Sequence, residues 1–141
     1  MEKQVKIISF ANHKGGVGKT TTTASVGSIL ASMGKKVLLV DMDAQSNLTT
    51  SLLKDNQVDQ TIYDALSASC RGAAYNLAIY PIAENLDIVP SSLRLASADL
   101  ELSSVMAREH LLSDVLQSQV KNYDYILIDC PPSLGLLTLN A

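Results

Sequence analysis

Residues 9–23 read SFANHKGGVGKTTTT, and this stretch decides how the rest of the chain is read. An apolar run, Val5 to Phe10, leads into Lys14-Gly15-Gly16-Val17-Gly18-Lys19-Thr20-Thr21, and an amphipathic run follows directly. Strand, glycine-rich turn and helix are the setting that a phosphate-binding loop requires. Glycine lets the backbone curl so that successive N–H groups point inward at an anion. The helix that begins at the loop adds the positive end of its dipole. Gly15, Gly16, Val17, Gly18, Lys19, Thr20 and Thr21 are therefore the candidate phosphate cradle. Lys19 supplies a mobile positive charge for the β- and γ-phosphates, and the Thr20 hydroxyl is placed to ligate Mg²⁺. The plain pattern G-x-x-x-x-G-K-[ST] wants glycine where this chain has His13, and the loop carries an additional lysine, Lys14. The competing reading, a Gly/Thr-rich turn with no ligand, has to ignore three glycines, two lysines and both flanking elements.

Outward from the loop, the chain alternates strand and helix. Val5–Ala11 reads as a strand buried on both faces. The first helix is expected from Lys19 to Met33. Val26, Ile29, Leu30 and Met33 make its core stripe at i, i+3, i+4, i+7, and Ala24, Gly27 and Ala31 are small enough for close packing. Gly34 is the helix stop. Val37–Val40 is a second buried strand that runs out into Asp41-Met42-Asp43-Ala44-Gln45-Ser46-Asn47. In open α/β sheets the chemistry lies beyond the carboxyl ends of the strands. Asp41 and Asp43 are thus candidates for Mg²⁺ and for positioning water, or either one caps the short helix Leu48–Leu53. Thr61–Ser69 is a further short helix and Leu86–Val89 a third strand, ended by Pro90-Ser91-Ser92. Helices are expected at Leu93–Leu102 and Ala107–Val120, the latter with Leu112, Val115 and Leu116 on one face. Tyr125–Asp129 is the fourth strand, apolar and ending in an acid, and Pro131-Pro132 forces a loop after it. Leu134–Asn140 opens another helix.

Composition bounds the remainder. At 141 residues and 47% hydrophobic, this is one domain or part of one. Net charge is −3, which argues against a strongly basic nucleic-acid module. Cys70 and Cys130 form no C-x-x-C pair, so a reduced, cytoplasmic setting fits. The amino terminus lacks the apolar core of a signal peptide, and no run reaches the ~18 apolar residues of a membrane span.

The ordered set KGGVGKTT, VLLVDMDAQ and YILIDCPPSLGLLTLNA resembles the ParA/Soj partition branch of the deviant Walker A ATPases, the ParA/MinD group. The resemblance runs from about Val5 to Ala141 and covers about the N-terminal half of a usual family member. It implies an α/β P-loop NTPase with a mostly parallel, doubly wound sheet, truncated on its C-terminal side. Residues 12–21 would be the P-loop, 41–47 switch I and 125–135 the Walker B and switch II segment. It further implies a Mg²⁺-dependent ATPase: an ATP-driven dimer that binds DNA non-specifically for plasmid or chromosome partition. The partner would be a ParB-type centromere-binding protein; no membrane is expected, and the location is cytoplasmic, on the nucleoid when ATP is bound. The DNA-binding residues lie in the half not seen here. Lys14 matches the signature lysine that reaches the partner's nucleotide across the dimer. Asp43 matches the aspartate that organises the attacking water, and Asp41 and Asp129 match the carboxylates around Mg²⁺. Pro131, Pro132 and Gly135 fall in switch II. Ala44, often proline in the family, should loosen its turn. Two alternatives stay open: a MinD-like positioning ATPase, and a nucleotide-binding module without turnover.

Overall fold

The computed structural model describes residues 4–10, 18–53, 60–73, 76–97 and 111–130. Five strands form one sheet in the order β1-β5-β2-β4-β3, with β1 Lys6–Phe10, β2 Val37–Asp41, β3 Tyr80–Ala83, β4 Leu86–Val89 and β5 Tyr125–Asp129. β1, β5, β2 and β4 run parallel, and β3 pairs antiparallel with β4 on the outside. The helices are α1 Lys19–Ser32, α2 Asn47–Leu53, α3 Ile62–Cys70 and α4 Leu111–Leu116, with 3-10 turns at Leu93–Ser97 and Gln117–Gln119.

Successive side chains of a strand point to opposite faces, and here both faces are covered. Val37, Leu39, Leu86, Ile88 and Leu127 pack on one side with Ala31, Leu48 and Leu53 of α1 and α2. Leu38, Val40, Val89, Ile126 and Ile128 pack on the other with Ile62, Leu66, Leu112, Val115 and Leu116 of α3 and α4. This is the doubly wound arrangement that continuous apolar strands imply.

The structure departs from the expectations at several places. β3 was not foreseen. It is four residues long and contains Pro81, which a strand accepts only at an edge or irregularity. Its register shifts between Pro81 and Ala83. A two-residue turn, Glu84–Asn85, joins it to β4, with Asn85 in the left-handed region at φ 65°. Second, β1 is not buried on both faces. It borders only β5 among the described residues, and Ile7 and Ile8 are 49% and 39% exposed. Third, α1 turns a different face inward. Thr23, Gly27 and Ala31, spaced four apart, are its buried residues; Ile29 and Met33 are exposed.

Gly27 sets how close the helix lies to the sheet. A Cβ there would lie 2.8 Å from Leu39 Cδ2, 3.5 Å from Leu86 Cδ1 and 3.6 Å from Leu127 Cδ1. The helix lies so close to the sheet here that only a residue without a side chain fits at the point of contact, while Val26 and Leu30 pack partly buried against the same core cluster. Gly27→Val should overpack this contact and cost about 1–3 kcal/mol, read as a lower urea midpoint. An unchanged midpoint would show that the contact is loose.

The expected helix from Leu93 is a 3-10 turn through Ser97. That from Ala107 is helical at Leu111–Leu116 and passes into the 3-10 turn. The remainder of those two expected helices, and the helix expected from Leu134, lie outside the described residues. So do Lys14, Gly15, Gly16, Val17, Pro131, Pro132 and Gly135.

Candidate functional site at the carboxyl end of the sheet

Register builds the site. Phe10 pairs with Asp129, and Asp129 pairs with Asp41, so β1, β5 and β2 end in one row. Asp129 lies two residues beyond Leu127, which packs on the α1 face, so its carboxylate points to that face too. There it meets the first turn of α1. Gly18 takes φ 81°, a conformation that glycine adopts at little cost, and the helix starts at Lys19. The Lys19 ammonium bonds Asp129 Oδ1, and the Thr20 hydroxyl donates to Asp129 Oδ2 at 2.9 Å. The Thr23 hydroxyl donates to the Lys19 carbonyl at 2.8 Å, securing the same turn. Thr21 is exposed on the outer side of that turn.

Asp43 joins from the β2 side. Its Oδ2 is 3.8 Å from Lys19 Nζ, and both side chains are only 9% exposed. The Gln45 N–H donates to its Oδ1 at 3.0 Å, an Asx turn that fixes the side chain. Lys19 is thus a nearly buried cation between two carboxylates, where attraction is much stronger than at a surface.

Asp41 has a different environment. It is fully buried. Its Oδ1 accepts from the Asp43 N–H at 3.1 Å, and its Oδ2 accepts from the Thr49 N–H at 3.0 Å and the Thr49 hydroxyl at 2.7 Å. It therefore satisfies a donor in the first turn of α2 from eight residues away, as a local cap would do. Burial pushes its pKa up to about 6; the Thr49 and Asp43 hydrogen bonds oppose this, and the Asp129 charge adds to it. Because the folded value lies above the ordinary 3.8, this group's contribution to stability falls as pH rises through that interval.

The donor set fits Mg²⁺. Thr20 Oγ1 and Asp129 Oδ2 are hard oxygens at the start of α1, 2.9 Å apart. Mg²⁺ takes few protein ligands and completes its shell with water and phosphate oxygens. Among the described residues no group of three or more His, Cys, Asp or Glu could cage an ion without such help. Cys130 is buried, its thiol pushed up to about 11 chiefly by desolvation. It is a packing residue rather than a nucleophile.

The structure thus brings Lys19, Thr20, Asp129 and Asp43 together and sets Asp41 behind them. Two residues that sequence reasoning missed, Thr49 and Ser91, complete the surroundings. The Ser91 N–H donates to Thr49 Oγ1 at 2.9 Å, and the Ser91 hydroxyl donates to the Asp43 carbonyl at 2.7 Å. One lies in an expected helix and the other in the Pro90-Ser91-Ser92 stretch expected to end a strand. Nothing local in their sequence marks them.

Residues 5–141 match the family described as an AAA domain. The chain is 47% identical over 137 residues to the sporulation initiation inhibitor protein Soj of Bacillus subtilis, covering 96% of this chain and 53% of that protein. It superposes on cobyrinic acid a,c-diamide synthase from Mycobacterium smegmatis, crystallised with ADP and magnesium. The TM-score is 0.86 at 37% identity, over 96% of this chain and 55% of that one. A plasmid partition protein from Borrelia burgdorferi gives 0.85 at 32% identity, over 98% and 60%. The chain spans about half the length of the curated relatives it matches.

Proposed function

The chain belongs to the AAA-domain family of P-loop proteins that includes the Soj and ParA partition ATPases, and from that premise we propose that it carries the catalytic half of a Mg²⁺-dependent ATPase. ATP would close a dimer, the dimer would bind DNA non-specifically through residues C-terminal to this chain, and hydrolysis would release it. A ParB-type protein would stimulate turnover, and the protein would work in the cytoplasm, on the nucleoid when ATP is bound. The observation that carries the reading is the convergence of Lys19, Thr20 and Asp129 at the start of α1, with Asp43 3.8 Å from Lys19.

Each residue then has a part. Gly18 and the first N–H groups of α1 face the phosphates. Lys19 exchanges its carboxylate partner for the β- and γ-phosphate oxygens and stabilises the charge that develops on them. Thr20 and Asp129 would hold Mg²⁺. When bound, Mg²⁺ neutralises phosphate charge and orients the γ-phosphoryl group. Asp43 orients the attacking water. Asp41 keeps the Asp43 loop and α2 in place. Lys14 reaches the partner's nucleotide across the dimer.

Steady-state ATP hydrolysis by the full-length protein, with and without DNA and a ParB-type partner, tests the reading. Turnover that both additions raise is expected; nucleotide binding with no turnover under any condition would favour a non-hydrolysing module. Lys14→Ala should abolish ATP-dependent dimerisation in sedimentation while monomers still bind ATP. A mutant that dimerises normally would remove Lys14 from the cross-subunit role.

A further inference from the structure

We propose that Ser91 and Thr49 are positioning residues that hold Asp43 in line for the attacking water; this inference rests on the ATPase reading above. Asp43 is clamped at every polar atom of its backbone. Its N–H donates to Asp41 Oδ1 at 3.1 Å. Its carbonyl accepts from the Ser91 hydroxyl at 2.7 Å and from the Ser46 N–H at 2.9 Å. Its side-chain Oδ1 accepts from the Gln45 N–H, which leaves Oδ2 to face Lys19.

The clamp is anchored far away in sequence. Ser91 follows β4, which is the parallel neighbour of β2, so the carboxyl ends of the two strands bring it beside Asp43. Thr49 closes the ring: its hydroxyl donates to Asp41 and accepts from the Ser91 N–H. Asp41, Asp43, Thr49 and Ser91 are all buried, at 0, 7, 7 and 4% exposure. A buried ring with every member paired has one geometry. The Ser46 N–H holds the Asp43 carbonyl only from within the turn. The Ser91 hydroxyl adds a second bond that ties the turn to the rigid sheet. A shift of about 1 Å in a catalytic group costs up to about 100-fold in rate.

The test uses the full-length protein and reads kcat and KM for ATP separately. Ser91→Ala should lower kcat about 10- to 100-fold, with KM for ATP changed less than about twofold, because the phosphate cradle is untouched. The double variant Ser91→Ala/Asp43→Ala should be no slower than Asp43→Ala alone, the non-additivity expected if Ser91 acts only through Asp43. Thr49→Ser, which keeps the hydroxyl, should retain near wild-type kcat, whereas Thr49→Val should behave as Ser91→Ala does. Equal kcat for Ser91→Ala and wild type would overturn the inference while leaving the ATPase reading intact, as would additive losses in the double variant. Should Ser91→Ala fail to fold, a Thr49→Val protein that folds and keeps wild-type kcat would overturn it equally. A wild type without turnover would remove both.

Discussion

Lys19→Ala is expected to weaken nucleotide binding severely. Lys19 is nearly buried at the start of α1, between Asp129 and Asp43, and no other described lysine or arginine forms an ion pair with either carboxylate. A hydrogen bond to a charged group is worth about 1.5–3 kcal/mol, so the affinity for Mg·ATP should fall roughly 10- to 150-fold. The substitution has a second effect in the same direction. It leaves Asp129 and Asp43 without their cation close to where triphosphate must enter, so repulsion adds to the lost bond. The Thr20 hydroxyl remains on Asp129, so the fold itself should persist. Isothermal titration of the full-length protein with Mg·ATP measures the change; an unaltered Kd would remove Lys19 from the phosphate site.

Asp43→Ala should have the converse profile. It removes the carboxylate nearest Lys19 apart from Asp129, yet touches neither the α1 turn nor the Thr20–Asp129 contact. ATP affinity should therefore be kept or raised, because one negative charge leaves the phosphate site. Hydrolysis should fall about 100-fold or more, the scale of losing a group that positions or activates the nucleophile. With ATP retained, the dimer should persist in sedimentation long after the wild-type dimer has separated. Wild-type turnover by this variant would reduce Asp43 to the Asx turn it makes with Gln45.

The central strands and the site's charged residues were legible in the sequence because each is encoded within a few neighbouring positions. The apolar runs ending in Asp41 and Asp129 read as strands whose last residue faces solvent or ligand, and both end in one register row. Lys19 and Thr20 were placed by a loop whose glycine at 18 has a positive φ. What was not legible depended on partners distant in the chain. In α1 the close-packing Gly27 and Ala31 are as expected and Val26 and Leu30 join the core, but Ile29 and Met33 of the expected stripe are exposed. How near the helix comes follows from Leu39, Leu86 and Leu127 around Gly27, which no local period reveals. β3 carries a proline and four residues, too little pattern to separate from a loop. The expected burial of β1 needed neighbours on both sides, and among the described residues it has one. Asp41 was read as a Mg²⁺ candidate or a cap. Its three hydrogen bonds to Asp43 and Thr49 favour the second use. Ser91, 48 residues from the carbonyl it holds, has no signal in the sequence at all.

The most direct measurement is a crystal structure of the full-length protein with Mg²⁺ and a non-hydrolysable ATP analogue. Lys19 Nζ should leave Asp129 for the β- and γ-phosphate oxygens, Thr20 Oγ1 should lie within about 2.1 Å of Mg²⁺, and Asp43 should face the γ-phosphate from the Ser91-held loop. A nucleotide bound elsewhere, with Lys19 still paired to Asp129, would contradict the account.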